Sequence, residues 1–213
     1  MQTWSAAMIA SQSKGTRLYG QIRRALLCGR FAPGQRLEPA TLALEFDTSL
    51  TPVRFALYRL SGEGLVSDQA REGFYMPLPT EAALRDLYEW MEDRLLAALG
   101  RGALPNGRSH RMPEAQESVA KATWQLFDAI ARRTPHRELH HAAQRANDRL
   151  APIRIAKRAL LPDAHAELVD LINAWERAEI PRLQCALQAY HARRRKLVPA
   201  IVEALNEARD ALH

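Results

Sequence analysis

Histidine and cysteine are the residue types of this chain whose spacing could support metal chemistry. His136 and His140 are one helical turn apart, so both imidazoles could bind one metal ion. No third ligand lies at a fixed spacing from them or from His141, and we interpret the group as an exposed helix start. Cys28 and Cys185 are far apart and lack metal-type or redox-type spacing, which predicts two buried free thiols.

Motifs of enzymes are missing from the sequence. We find no glycine-rich phosphate loop, no HExxH zinc motif and no nucleophile elbow. The sequence therefore predicts that the protein is not an enzyme. Metal-dependent hydrolysis on a helical bundle is the one enzymatic alternative, and it depends on a ligand set described below.

The basic side chains point to a polyanionic partner instead. The chain has 30 lysine and arginine residues against 24 acidic ones, which gives a net charge of +6. Each basic side chain placed on a phosphate releases counterions and strengthens binding to nucleic acid. The basic run at residues 193–196 is more typical of a solvated helix face.

A short helix is predicted to start near residue 49. Pro52 suits its first turn, since the first amides of a helix lack partners, and Ser49 or Thr51 can cap it. An apolar stripe with helical spacing faces a core and comprises Val53, Ala56, Leu57 and Leu60. Gly62 and Gly64 end the helix.

A hairpin follows this helix directly. Two β-favouring runs, Leu65-Val66 and Phe74-Tyr75-Met76, are separated by a polar turn from Ser67 to Gly73. Helices are predicted upstream at residues 18–28 and 39–46, with a turn at Pro33-Gly34 between them. This order predicts a winged helix-turn-helix over residues 15–78, after an N-terminal tail of residues 1–14.

The same segment resembles the GntR family of bacterial transcription regulators. The resemblance rests on residues that match in order and at family spacing: Ile22-Arg23, Gly29, Pro33-Gly34, Leu37, Leu42-Ala43, Thr51-Pro52-Val53-Arg54, Ala56-Leu57, Leu60, Glu63-Gly64-Leu65-Val66 and Gly73-Phe74. It implies a regulator, most often a repressor, that binds double-stranded DNA. The lack of a membrane-length apolar run and of a signal-peptide pattern predicts a cytoplasmic location. An adaptor that uses the winged domain for protein contacts is an alternative, and it would show near-background DNA affinity.

A helix of this kind lies in the major groove with its first residues toward the bases. We therefore expect Ser49, Leu50, Thr51 and Arg54 to face DNA, although an intradomain salt bridge is an alternative role for the arginine. By resemblance, Arg54 contacts DNA, and Arg71 and Gly73 form the wing tip.

Two positions depart from the family pattern. The family often has arginine where this chain has Leu50, which can touch a thymine methyl group but cannot donate to guanine. The operator is therefore expected to differ from the usual half-site. Phe55, where glutamate is common, is interpreted as a packing change.

The second half of the chain shows helical periodicity without strand signals. Helices are predicted over residues 84–99, 114–133, 138–160, 165–177 and 181–212, and Pro199 either kinks or divides the last one. The predicted fold is thus mainly α, with an N-terminal winged helix-turn-helix and a C-terminal all-helical bundle over residues 79–213. No apolar run reaches the length of a membrane span.

The bundle resembles the C-terminal (FCD-like) domain of the FadR-type branch of the family. The matching residues are Asp86-Leu87-Tyr88-Glu89, Arg94, Leu126-Phe127 and Ala129-Ile130-Ala131. The resemblance implies a homodimer on an inverted-repeat operator and a small effector, with a carboxylate as the default by analogy.

Many such domains hold a divalent metal with an aspartate, a histidine four residues later and two later histidines. The first two positions are Trp124 and Asp128 in this chain. Asp128, His165 and His191 could still bind Zn, Ni or Mn, although His165 aligns only with an insertion. The other reading is a metal-free pocket shaped by aromatic residues.

The residues expected to bind the effector are therefore of two kinds. Trp124 and Tyr190 would shape the pocket, together with Phe127. Arg94 or His191 would meet an anionic ligand, and Asp128 completes the predicted set.

Overall fold

The structure, a computed structural model, describes residues 3–70, 72–102, 104 and 119–211. Residues up to Leu78, together with those from Ala208 onward, form one compact unit, and Pro79–Glu207 form the second. Within the described residues, no helix is long and apolar enough to cross a membrane.

The N-terminal unit contains helices α1 (Thr3–Leu27), α2 (Pro39–Glu45) and α3 (Leu50–Gly62). Helix α1 starts well before the predicted residue 18, because the stretch from residue 3 contains no proline and an isolated glycine, Gly15, is tolerated inside a helix. The residues expected as a tail are therefore helical from Thr3 onward. Both α1 and α2 pack against α3.

Helix α3 has the predicted buried stripe. All four apolar residues of the stripe are buried, and they join a core that includes Ile22, Leu37 and Phe74. Ser49 is the N-cap, but its side chain makes no capping hydrogen bond. The helix ends because Gly64 adopts a φ of 74°, in the left-handed region that favours glycine.

The sheet of the wing has three short antiparallel strands in the order β1-β3-β2. They are β1 (Arg36–Leu37), β2 (Ser67–Gln69) and β3 (Gly73–Tyr75), with Leu37 opposite Phe74 and Ser67 opposite Tyr75. The predicted turn from Ser67 was wrong, since the strand begins there. Leu65 and Val66, predicted as strand, are instead buried in the core just before β2.

The regular elements among the described residues of the second unit are all helices. Its helices are α4 (Glu81–Gly100), α5 (Val119–Arg132), α6 (Arg137–Ala156), a 3-10 turn (Arg158–Leu160), α7 (Ala164–Glu176), α8 (Ile180–Lys196) and α9 (Val198–Asp210). Thr80 caps α4 by accepting a hydrogen bond from the Ala83 amide at 3.3 Å. The last predicted helix is two helices, α8 and α9, with Pro199 in the first turn of α9, where proline is tolerated.

Helices α4, α5, α6 and α8 form the centre of the bundle. Helix α4 contacts α5, α6 and α8, and α7 packs on α5 and α8. The expected burial of the two cysteines was wrong: Cys28 and Cys185 are both free, and both are exposed.

Candidate nucleic-acid interface and buried cationic cluster

The outward side of α3 forms a surface that could read DNA. Ser49, Thr51 and Arg54 are exposed, and Leu50 keeps 37% of its surface accessible. Arg54 forms no ion pair within the described part of the chain, so the alternative of an intradomain salt bridge is not seen there. Because Val53 and Leu57 anchor the opposite side, these groups project away from the core.

The wing is attached to this helix by an aromatic contact. The rings of Tyr58 and Phe74 meet edge to face, with their centroids 5.0 Å apart. Gly73 at the start of β3 has a φ of 101°, a backbone conformation that a residue with a Cβ rarely adopts. Arg71, the other residue predicted for the wing tip, lies outside the described residues.

The C-terminal half of α3 is held against α1 by a polar cluster. The Tyr19 hydroxyl donates to Glu63 Oε2 at 2.6 Å, and the Arg59 guanidinium lies 3.9 Å from the centre of the Tyr19 ring. Arg59 also approaches Glu63 at 3.4 Å. Burial, followed by the hydrogen bond to Glu63, raises the pKa of Tyr19 to about 12, so the phenol remains a donor.

Phe55 is not a packing residue. Its side chain is 71% exposed, which contradicts the interpretation made from the sequence. It lies four residues after Thr51 and therefore on the same side of α3. The stripe of α3 leaves this position outside the core.

Trp124 and Asp128, expected to bind an effector, are engaged with other side chains. The Trp124 indole donates to Asp148 Oδ1 at 2.9 Å. Asp128 accepts from Arg132 at 2.5 Å and lies 3.6 Å from His140 Nε2.

The three predicted metal ligands do not form a metal site in the structure. His165 is exposed, His191 is fully buried, and Asp128 faces Arg132 and His140. In the part of the chain that the structure describes, no three His, Cys, Asp or Glu residues are grouped so as to hold a metal ion. The arrangement of these residues therefore does not fit the three-ligand site.

His191 lies inside the bundle among aromatic rings. Its Nδ1 donates to the Leu187 carbonyl at 2.8 Å, and its ring stacks on Phe127 at 5.7 Å between centroids. Burial above all lowers the pKa of His191 to about 3, and Arg154 and Arg194 act in the same direction. The ring is therefore neutral, and its buried Nε2 has no hydrogen-bond partner among the described residues.

Tyr190 and Arg194 adjoin this histidine on α8. The Arg194 guanidinium lies 3.3 Å from the centre of the Tyr190 ring and pairs with Glu167 at 2.5 Å. Tyr190 in turn contacts Phe127 edge to face at 5.2 Å. The sequence predicted a solvated helix face for the basic run at residues 193–196. This prediction was wrong for Arg194, which is only 2% exposed.

Arg154, Lys157 and Arg194 form what we call the buried cationic cluster. All three are at most 6% exposed. Arg154 donates to the Asn147 carbonyl at 3.2 Å, while its Nε and Nη2 have no hydrogen-bond partner among the described residues. Lys157 donates to the Tyr88 hydroxyl at 2.6 Å.

Arg154 and Arg194 lie close enough to Lys157 to perturb its titration. Burial, Arg194 and Arg154 together lower the pKa of Lys157 well below its ordinary value, and Glu167 opposes them weakly. Arg154 also lies 5.3 Å from the centre of the Phe127 ring, which His191 stacks on. Arg154 and His191 thus both approach the Phe127 ring, and each has a buried nitrogen without a hydrogen-bond partner among the described residues.

Sequence reasoning missed Arg154, Lys157 and Tyr88. Arg194 carried a usable signal, since it continues the spacing of Leu187 and His191 along the buried side of α8. Arg94, which was predicted, stacks on Trp90 of its own helix at 3.9 Å, and its buried Nε has no described partner.

Comparison with known proteins supports a regulator. The sequence model of the bacterial regulatory proteins of the gntR family matches residues 14–76. The Nta operon transcriptional regulator of Aminobacter aminovorans is 41% identical over 59 residues, which are 28% of each chain. The uncharacterised HTH-type transcriptional regulator YdhC of Bacillus subtilis is 30% identical over 73 residues, which are 34% of this chain and 33% of YdhC.

Solved structures resemble the chain over most of its length. A transcriptional regulator GntR from Rhodococcus sp. RHA1 superposes with a TM-score of 0.70 at 17% identity, covering 88% of this chain and 98% of the other. Escherichia coli McbR/YncC gives 0.67 at 18% identity, covering 87% and 97%. The chain spans about a third or less of the length of these curated relatives that it matches. The protein thus has the mainly helical fold of these solved structures, and its residues 14–76 match the sequence model of the gntR family of bacterial regulatory proteins.

Proposed function

We propose that this protein is a homodimeric transcription repressor that binds DNA. An anionic effector in the helical domain controls its affinity for the operator. The observation that carries the proposal is the exposed outer side of α3, which includes Thr51 and Arg54 and lies beside the wing. The segment that contains α3 and the wing matches the gntR family of regulators. Membership of the FadR-type branch would explain why a helical domain follows the winged domain.

Two copies would be needed for useful specificity. One helix offers few base contacts, so a two-fold dimer on an inverted repeat doubles them and places the two α3 helices about one DNA turn apart. Arg54 is the residue best suited to read a base, because a guanidinium can donate twice to guanine.

The DNA-binding proposal is tested by selecting bound fragments from random duplexes and footprinting the selected site. Arg54→Ala should lower the affinity for that site by roughly 5- to 160-fold, in line with about 1–3 kcal/mol for a bidentate base contact. Leu44→Ala is the matched control, since Leu44 is 84% exposed but lies on α2. Equal binding of the selected and shuffled duplexes would contradict the proposal and favour the adaptor alternative.

The effector proposal rests on the charge inside the bundle. Buried cations are costly unless an anion compensates them. Glu167, which pairs with Arg194, is the acidic residue that favours the charged form of Lys157. Arg154 retains two buried nitrogens without a described partner. A carboxylate can accept two hydrogen bonds from one guanidinium, so it matches this group.

His191 adds a second requirement. Its neutral Nε2 accepts a hydrogen bond and has no described partner. Because His191 and Arg154 both contact Phe127, one small ligand could reach both. A carboxylate that also carries a hydroxyl group would satisfy each of them.

Cationic side chains would then take the role that a metal has in many relatives. A divalent cation placed beside Arg154 and Arg194 would be repelled by both. We therefore favour the metal-free form of the sensor over the form that uses Asp128, His165 and His191.

Thermal unfolding with lactate, acetate and chloride at equal ionic strength tests the effector site. Lactate should raise the melting temperature most and chloride least. Arg154→Met should raise the melting temperature without ligand, because it removes a buried and incompletely paired cation, and should abolish the response to lactate. Arg145→Met, an exposed position on the same helix, should change neither. Equal responses of both variants would exclude the cationic cluster as the site.

A ligand can act on DNA binding only by preferring one arrangement of the dimer. Operator affinity should therefore change when the stabilising carboxylate is present, typically 5- to 150-fold. No change would leave a ligand site without a regulatory role.

A further inference from the structure

Phe55 is an exposed aromatic residue on the outer side of the DNA-reading helix. Its side chain is 71% exposed, and it follows Thr51 by one helical turn and Arg54 by one residue. The other aromatic residue of this side, Tyr58, is held against Phe74 of the wing. Phe55 is therefore the aromatic group of α3 that remains available for a partner.

The surroundings of Phe55 favour a polyanion as that partner. An open groove beside it is lined by the basic side chains Lys14 and Arg17 of α1 as well as by Arg59. Asp47 is the acidic residue that also lines this groove. A phosphate backbone complements such a rim, while the apolar ring would meet the one apolar group that a base pair presents in the major groove, the thymine methyl.

We infer that Phe55 is a specificity-determining residue that contacts thymine methyl groups in the operator half-site. This inference rests on the proposed DNA-binding function and narrows it. Leu50, 37% exposed at the start of the same helix, provides a second apolar contact toward the bases. The side of α3 that faces DNA thus combines one guanidinium with two apolar side chains, which favours half-sites rich in thymine.

The test uses the full-length protein and the duplex that it selects from a random library. Each thymine is replaced in turn by deoxyuridine, which pairs identically with adenine but lacks the methyl group. Wild type should bind about fourfold more weakly when a contacted thymine is replaced, a loss equivalent to ~0.8 kcal/mol per methyl group. Phe55→Ala should bind the thymine and deoxyuridine duplexes equally at that position.

Matched variants assign the effect to Phe55. Leu44→Ala removes an exposed apolar side chain from α2 and should keep the wild-type pattern. Phe55→Leu should retain part of the thymine preference, because leucine is apolar but shorter. Since Phe55 lies outside the core, its replacement should not unfold the domain.

The outcomes separate this inference from the broader proposal. If the library yields no preferred sequence, DNA recognition itself fails. If a sequence is selected but deoxyuridine costs nothing, or costs as much in Phe55→Ala as in wild type, only the role of Phe55 is overturned. A change in oligomeric state in Phe55→Ala, with an unaltered deoxyuridine pattern, would likewise overturn it and assign the ring to a protein contact.

Discussion

The neutral state of His191 makes the helical domain sensitive to acid. The imidazole is fully buried, and its pKa is lowered from 6.5 to about 3, whereas the unfolded chain titrates near 6.5. Between these values the unfolded state binds more protons, so stability must fall as the pH falls through this window. This loss of stability is absent well above the unfolded-state pKa of 6.5 and complete below the folded-state pKa of about 3.

The expected size follows from the shift. Each pH unit within the window costs about 1.4 kcal/mol, so acidification from pH 7 to pH 5 should remove about 2 kcal/mol through His191 alone. Carboxylates titrate in the same range, so the quantity to compare is the difference between wild type and His191→Met. The contributions of the carboxylates are common to both proteins and cancel in this difference.

Urea unfolding followed by tryptophan fluorescence measures this difference, because Trp90, Trp124 and Trp175 lie in the helical unit. Wild type should lose about 2 kcal/mol more than His191→Met over this range. His165→Gln replaces an exposed histidine and should retain the wild-type loss. A difference below about 0.5 kcal/mol would refute the reasoning, because it would mean that the imidazole becomes charged without unfolding.

Three further results are expected. Tyr19→Phe removes the hydrogen bond to Glu63 and should cost about 1 kcal/mol in urea unfolding, and no loss would show that this contact does not hold α1 to α3. Gly73→Ala should destabilise the protein and weaken operator binding, because the φ of Gly73 is 101°. Gly62→Ala is the control: it lies at the end of α3 with nothing within 4 Å of an added Cβ, and it should stabilise the protein by up to about 1 kcal/mol. Equal effects of the two substitutions on stability would contradict the argument from backbone strain. Treatment with a chelator, followed by metal analysis and a melting curve, should leave the melting temperature and operator affinity unchanged, and a stoichiometric metal lost together with stability would restore the metal-dependent sensor.

The sequence predicted the elements whose side chains alternate between core and solvent. The stripe of Val53, Leu57 and Leu60 identified both the helix and its outer side, so Arg54 was placed correctly on the exposed surface. Strand β2 was missed because its residues, Ser67 among them, are polar, and it exists through backbone pairing with β3.

The buried cluster could not be predicted from composition. Arginine and lysine are solvated in most contexts, so Arg154 and Lys157 gave no reason to expect burial. Arg194 was obscured by its position within a basic run, although its helical phase matched His191. The metal hypothesis relied on His165, whose exposure depends on the orientation of α7 and therefore on tertiary packing.

The most direct test of the central claim is the affinity of the full-length protein for its selected duplex, relative to a shuffled duplex of equal length, at physiological ionic strength. The proposed function predicts a preference of at least about 10³-fold for the selected duplex, as is typical of specific regulators. It also predicts that Arg54→Ala removes much of this preference while Leu44→Ala retains it. Binding that is equal for both duplexes and disappears with added salt would contradict the claim.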